Sequence, residues 1–113
     1  LPIVETKANP LVFREWTPDT SMERGFWNIP VPAGTNAVVP EILLSPLVGW
    51  DKKGYRLGYG GGYFDRTLAA HNAPRLVIGV GLQSANIDTV YPQPHDVRMD
   101  VIVTDTGVQG DAF

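Results

Sequence analysis

The hydrophobic positions of this chain fall in short runs separated by turns rich in proline and glycine. Leu1-Pro2-Ile3-Val4 is strand-like. Leu11-Val12-Phe13-Arg14-Glu15-Trp16 mixes aromatic and β-branched residues between Pro10 and the Thr17-Pro18-Asp19 turn, which predicts a short strand paired with residues 1 to 4. Residues 19 to 40, with prolines at 30, 32 and 40, read as an extended connection crossing the surface. Ile42-Leu43-Leu44 predicts a short buried strand that Pro46 stops or moves to an edge. A glycine-rich loop follows, then a helix from about Tyr63 to Ala70 with Phe64 and Leu68 at i and i+4 on its buried face, ended by Asn72 and Pro74.

Leu76-Val77-Ile78-Gly79-Val80-Gly81-Leu82 is apolar at nearly every position, as in a central strand covered on both faces. Gly79 and Gly81 share one face and leave room there for a helix or a ligand. Residues 84 to 98 form a polar loop, and Val101-Ile102-Val103 makes a final strand. Strand, loop, helix, strand predicts a right-handed βαβ crossover and an α/β architecture. Ligands in such sheets lie at the carboxyl ends of the strands, here residues 49 to 62 and 83 onward.

The 113 residues suit one small α/β domain, and 43% hydrophobic content is that of a globular chain. A net charge of −3 argues against nonspecific nucleic-acid binding, while leaving room for local phosphate binding through backbone amides and a few arginines. With no cysteine there are no disulfides, thiolate nucleophiles or Cys-based zinc sites, which fits a cytoplasmic protein. No apolar run approaches the roughly 20 residues of a membrane span. The chain begins at Leu1 without methionine and runs directly into a strand, as expected of the carboxy-terminal part of a longer chain.

Candidate chemistry concentrates in Asp51-Lys52-Lys53-Gly54-Tyr55-Arg56-Leu57-Gly58-Tyr59-Gly60-Gly61-Gly62-Tyr63-Phe64-Asp65-Arg66. Four glycines within five positions let successive N–H groups approach and converge on one anion, and the helix behind them adds free amides. A Walker loop would end in Gly-Lys-Ser/Thr, and this one ends in Gly62-Tyr63-Phe64. The third glycine of a dinucleotide fingerprint counted from Gly58 and Gly60 is Tyr63. The lysine, catalytic Asp and Asp-Phe-Gly of a kinase are missing.

The whole run resembles the signature of the 5-formyltetrahydrofolate cyclo-ligase family, also called methenyltetrahydrofolate synthetase. Trp27-Asn28-Ile29-Pro30-x-Pro32 resembles the segment that precedes this signature, and Pro94-His95-Asp96-x-x-x-Asp100 with Val103-Thr104 resembles the family's C-terminal motif. The resemblance implies an α/β fold with a mostly parallel sheet and flanking helices, of NagB/CoA-transferase-like type, here lacking its N-terminal part. It implies conversion of 5-formyltetrahydrofolate to 5,10-methenyltetrahydrofolate with ATP and Mg2+, through a phosphorylated formyl group. The family's amino-terminal region, with basic residues for ATP and a glutamate for the folate, would lie upstream of Leu1.

By the same resemblance, ATP would be bound by Arg56, Leu57, Gly58, Tyr59, Gly60, Gly61, Gly62, Tyr63 and Phe64. Folate would lie against Trp27, Tyr59, Gly60, Gly61, Gly62 and Tyr63. Asp65 and Asp96 would hold the metal, with Asp100 ranked below Asp96. Each has a plainer alternative. Arg56 can be a surface arginine closing the Gly54 turn, Asp65 a first-turn helix acid, Asp96 a turn former and Trp27 a core residue. Some relatives carry basic side chains at the positions of Tyr59 and Gly61, and Phe64 stands where a second tyrosine is more usual. Phosphate charge must then be met by amides, Arg56, Arg66 and magnesium. Two other functions stay open: a noncatalytic nucleotide- or phosphate-binding member of the same fold, and a sugar-phosphate or CoA-handling enzyme, which would need a catalytic glutamate not located here.

Overall fold

A four-stranded sheet carries most of the core, and a three-stranded and two two-stranded antiparallel sheets accompany it. The structure, a computed structural model, describes residues 1–58, 60–70 and 76–109. In chain order the strands are β1 (Pro2–Ile3), β2 (Val12–Arg14), β3 (Met22–Arg24), β4 (Pro30–Pro32), β5 (Ala37–Val38), β6 (Ile42–Pro46), β7 (Gly49–Trp50) and β8 (Arg56–Leu57). The helix α1 (Tyr63–Leu68) follows, then β9 (Leu76–Val80), β10 (Val101–Thr104) and β11 (Gly107–Gln109).

The four-stranded sheet has the order β11-β10-β9-β6. β6 and β10 both pair parallel with β9, so β9 is central as its unbroken apolar run predicts. β11 closes the other edge antiparallel to β10, through a turn at Asp105-Thr106 that sequence reading passed over. Among the described residues the strands that pair parallel are these three, with one isolated parallel bridge from Trp50 to Asn86, so the expected mostly parallel sheet is a mixed one, and α1 is the only α-helix.

Leu43, Leu47, Trp50, Leu68, Val77, Met99 and Ile102 form the buried cluster. Full burial of such a side chain contributes about 1.5–3 kcal/mol. β6 is less covered than its apolar sequence suggests. Leu43 and Ser45 point inward, whereas Ile42 and Leu44 on the other face are 60% and 64% exposed. β9 likewise buries Val77 and Gly79 but only half-covers Leu76 and Ile78 on its second face. The space beside Gly79 and Gly81 takes neither a helix nor a ligand: a Cβ on Gly79 would meet Leu47 Cδ2 at 2.9 Å, and one on Gly81 would strike the same side chain.

β1 and β2 pair antiparallel, as read, and β5 adds to β2. The expected extended connection over 19 to 40 is instead a folded hairpin, β3 against β4, with Met22 opposite Pro32 and Arg24 opposite Pro30. Proline survives there because the pair has only two strands and the lost N–H would face no further neighbour. A single 3-10 turn, Phe26–Asn28, forms its tip.

α1 buries Leu68 and half-buries Phe64, as its spacing predicts. It also fastens the amino-terminal sheet. Buried Thr67 accepts the Leu11 N–H at 2.8 Å and donates to Tyr63 O at 2.6 Å. The helix stops at Leu68, earlier than expected, and Asn72 and Pro74 lie outside the described residues. Among the described residues no helix is long and apolar enough to cross a membrane.

Candidate functional site

Arg56 is delivered to the site by a tight hairpin, and Asp51 holds that hairpin together. The buried Asp51 carboxylate accepts Lys53 N–H at 3.0 Å and Tyr55 N–H at 3.2 Å on Oδ1, and Val90 N–H at 3.2 Å on Oδ2. One side chain therefore sets the β7–β8 turn and ties it to the loop after β9. The signal for the first part was present, since Asp followed by Lys-Lys-Gly is turn chemistry. The contact to Val90, 39 positions away, was not visible from sequence.

Arg56 is not a surface residue: its side chain is 4% exposed. Its guanidinium lies over the Phe64 ring, 5.2 Å from the centroid, and Nη2 stands 3.9 Å from Asp65 Oδ1. Nη1 donates a long bond of 3.4 Å to Pro46 O, while Nε is buried without a partner. Burial lowers the Arg56 pKa by desolvating the charge, and the nearby carboxylates of Asp65 and then Asp96 oppose that shift. A buried guanidinium with an orphan donor and weak bonds is one whose hydrogen-bonding capacity is unspent. Gly58 makes this placement possible, because a Cβ there would stand 2.5 Å from Arg56 Nη1.

The rest of the loop turns through Gly60 and Gly62, whose φ angles of +94° and +71° suit glycine. Gly62 caps α1 with no side-chain bond, and α1 has six residues, fewer than two turns. Its dipole is correspondingly minor. Arg66, expected to help meet phosphate charge, is engaged in the loop itself: Nη2 donates to Gly61 O at 2.8 Å, and the guanidinium lies 4.7 Å from the Tyr63 ring centroid. Tyr59 lies outside the described residues.

Trp27 sits at the tip of the β3–β4 hairpin and is 61% exposed, so the core reading does not hold for it. It meets Tyr63 edge to face at 5.8 Å. Both Trp27 and Asn28 have left-handed backbone, φ +53° and +61°, a conformation that costs a non-glycine residue about 1–2 kcal/mol. Such strain persists where the surroundings enforce it and clusters at working sites. An open cleft of about 460 Å3 lies here, lined by Lys7, Ala8, Trp27, Gly61, Tyr63 and Arg66. Lys7 was missed, since nothing in the sequence places residue 7 beside residue 63. Tyr63 Oη accepts the Ala8 N–H at 3.3 Å and makes that connection. A second apolar cleft, of about 290 Å3, lies between β2, β5 and the end of α1, away from the glycine loop.

Asp65 is both a first-turn helix acid and a partner of Arg56. Asp96 caps its own turn, accepting Gln93 N–H at 2.8 Å on Oδ2, and Oδ1 is 3.5 Å from His95 Nε2. The turn-former reading thus holds for Asp96, and its Oδ1 stays on the partly exposed side of the turn. Asp100 is used structurally, accepting Val77 N–H at 2.7 Å. No group of three or more His, Asp or Glu placed to hold a metal occurs among the described residues. Magnesium takes one or two protein carboxylates and fills its other positions with water and phosphate oxygens. Asp65, 3.9 Å from the Arg56 guanidinium, and Asp96, which acts on it at longer range, are both partly exposed; they match the carboxylate count of such an ion and do not form an all-protein cage.

Residues 1–105 match the profile of the 5-formyltetrahydrofolate cyclo-ligase family. A 5-formyltetrahydrofolate cyclo-ligase of Haemophilus influenzae is 36% identical over 100 residues, covering 82% of this chain and 54% of the relative. The solved structure of 5,10-methenyltetrahydrofolate synthetase from Aquifex aeolicus superposes with a TM-score of 0.76 at 29% identity, covering 96% of this chain and 55% of that one. The synthetase from Mycoplasma pneumoniae gives a TM-score of 0.58 at 33% identity, covering 83% and 55%. The chain spans about half the length of the curated relatives it matches. It belongs to the 5-formyltetrahydrofolate cyclo-ligase family.

Proposed function

We propose, from this family membership, that the protein takes part in the ATP- and Mg2+-dependent conversion of 5-formyltetrahydrofolate to 5,10-methenyltetrahydrofolate, on a NagB/CoA-transferase-like plan and in the cytoplasm. The observation that carries the reading is the buried Arg56 beside Asp65, within electrostatic reach of Asp96, next to a loop kept bare by Gly58, Gly60 and Gly62. The formyl oxygen attacks the γ-phosphorus of ATP, and ADP leaves. N10 then bonds to the formyl carbon and gives up its proton. The C–O bond breaks, releasing inorganic phosphate with the former formyl oxygen and leaving the methenyl bridge. A formyl amide is a poor electrophile, and phosphorylation converts its oxygen into a leaving group.

Little covalent work falls to the protein, so its contribution is alignment and charge neutralisation. The amides of Gly58, Gly60, Gly61 and Gly62 would line the path of the phosphates, with Leu57, Tyr63 and Phe64 as walls. Arg56 offers its uncommitted Nε and weakly bonded Nη1 to phosphate oxygens. Trp27 and Tyr63 offer aromatic edges and faces to the folate rings. Asp65 and Asp96 would hold magnesium, which when bound offsets the charge of the polyphosphate. The full chain should release ADP only when 5-formyltetrahydrofolate and magnesium are both present, and Asp65→Asn should lower turnover at least about 100-fold. ATP binding with no folate-dependent turnover would sink the reading and favour a noncatalytic nucleotide-binding member of the fold.

A further inference from the structure

We propose that Lys7 and the aromatic cleft beside it form the subsite for the carboxylate tail of the folate, making Lys7 a determinant of preference for substrates with more acidic tails. The proposal rests on the formylfolate reading above. Among the described residues two cations reach this cleft, and they differ in exposure. The Arg66 guanidinium is half-buried over Tyr63, donates from Nη2 to Gly61 O and keeps its unpartnered Nε buried, away from the opening. Lys7 is exposed, and its ammonium has no hydrogen bond or ion pair among the described residues. Its turn is nonetheless fastened. Asn9 N–H donates to Thr6 O at 3.3 Å, and Ala8, with φ +62°, donates its N–H to the Tyr63 hydroxyl at 3.3 Å. The free ammonium is therefore tethered to the same ring that walls the cleft.

Folates carry a pteridine at one end, an aryl amide in the middle and glutamate carboxylates at the other end. With the reacting formyl group at the glycine loop, an aromatic-walled passage leading to a cation matches the aryl amide followed by carboxylates. ATP also joins a flat ring to an anion, but its phosphates travel with a divalent ion. Among the described residues no carboxylate lines the cleft to share that ion, whereas Asp65 lies beside Arg56. A carboxylate tail needs only the cation, and an ammonium on a flexible stem can follow tails of different length.

In the full chain, KM and kcat would be compared for 5-formyltetrahydropteroate, which lacks glutamate, and for the mono- and triglutamate forms of 5-formyltetrahydrofolate. Lys7→Ala should raise KM for the triglutamate about tenfold, that for the monoglutamate less, and that for the pteroate least, with kcat falling less than KM rises. Lys7→Arg should restore the preference, and Lys7→Glu should reverse its order. Salt should narrow the difference in the unmodified protein. Equal KM changes for all three substrates, or no change, would overturn the proposal. So would a rise in KM for ATP with the folates unmoved, which would put polyphosphate at Lys7. Equilibrium binding of p-aminobenzoyl-triglutamate separates this inference from the reaction itself. Loss of that binding in Lys7→Glu upholds the subsite even if no formylfolate turns over, and its retention rejects the subsite even if turnover is robust.

Discussion

The two flanks of the glycine loop hold their arginines in different ways, although each buries an unpartnered Nε. On the Arg56 side the cation is buried against a ring, a carboxylate and a carbonyl, with a glycine kept bare to admit it. On the Arg66 side the guanidinium lies over Tyr63, closes the loop through Gly61 O, and borders an open aromatic cleft. Desolvation makes the first charge strong and poorly satisfied, as suits a group kept for a ligand. The second is tied to the loop by one bond and keeps a buried, unpartnered Nε of its own, so what the open cleft beside it offers a ligand is aromatic surface and the exposed Lys7. Two arginines ten residues apart in one motif are therefore not interchangeable.

The sharpest way to break this contrast is Gly58→Ala. Its Cβ would stand 2.5 Å from Nη1 of the buried Arg56 and displace that guanidinium from its place over Phe64, and we expect a loss of about 1–3 kcal/mol by chemical denaturation. In an Arg56→Met background most of that loss should vanish. Additive effects would mean that Gly58 serves something other than Arg56. Gly62→Ala addresses the other flank. It forces alanine to φ +71° and brings Cβ to 2.9 Å from Arg66 Nη1, so about 1–2 kcal/mol should be lost, and Arg66→Ala should recover only the contact part. The smallest effect runs the other way. Trp27→Gly relieves a left-handed, exposed tryptophan and should stabilise the fold by up to about 1 kcal/mol while weakening folate affinity. Loss of stability without loss of affinity would make Trp27 a structural residue.

Much of the fold was legible because it depends on local period. The β1–β2 pairing, the Phe64/Leu68 face and the central β9 all follow from residues within a few positions of one another. Misreadings came where a distant partner decided. Pro30 and Pro32 read as breakers of regular structure, yet a two-stranded hairpin has no further neighbour to need their missing N–H groups. Gly79 and Gly81 read as vacant space that Leu47, more than thirty positions earlier, in fact fills. Ile42 and Leu44 read as buried because an apolar run cannot state how many layers cover it.

The candidate site divides in the same way. Sequence alone determined the residue types and their order: bare glycines after an arginine, an acid in the first helical turn, and a second acid in a later loop, in a pattern that names the family. Those properties survive any fold, being a matter of which side chains are present and how far apart along the chain they lie. Tertiary structure decided which of them are charged neighbours and which are spent. It buried Arg56 beside Asp65 and within electrostatic reach of Asp96, assigned Asp51 and Asp100 to backbone amides, turned Arg66 back on its own loop and brought Lys7 to Tyr63. Burial and long-range proximity set how strongly a charge is felt, and neither is a property of residues taken in order.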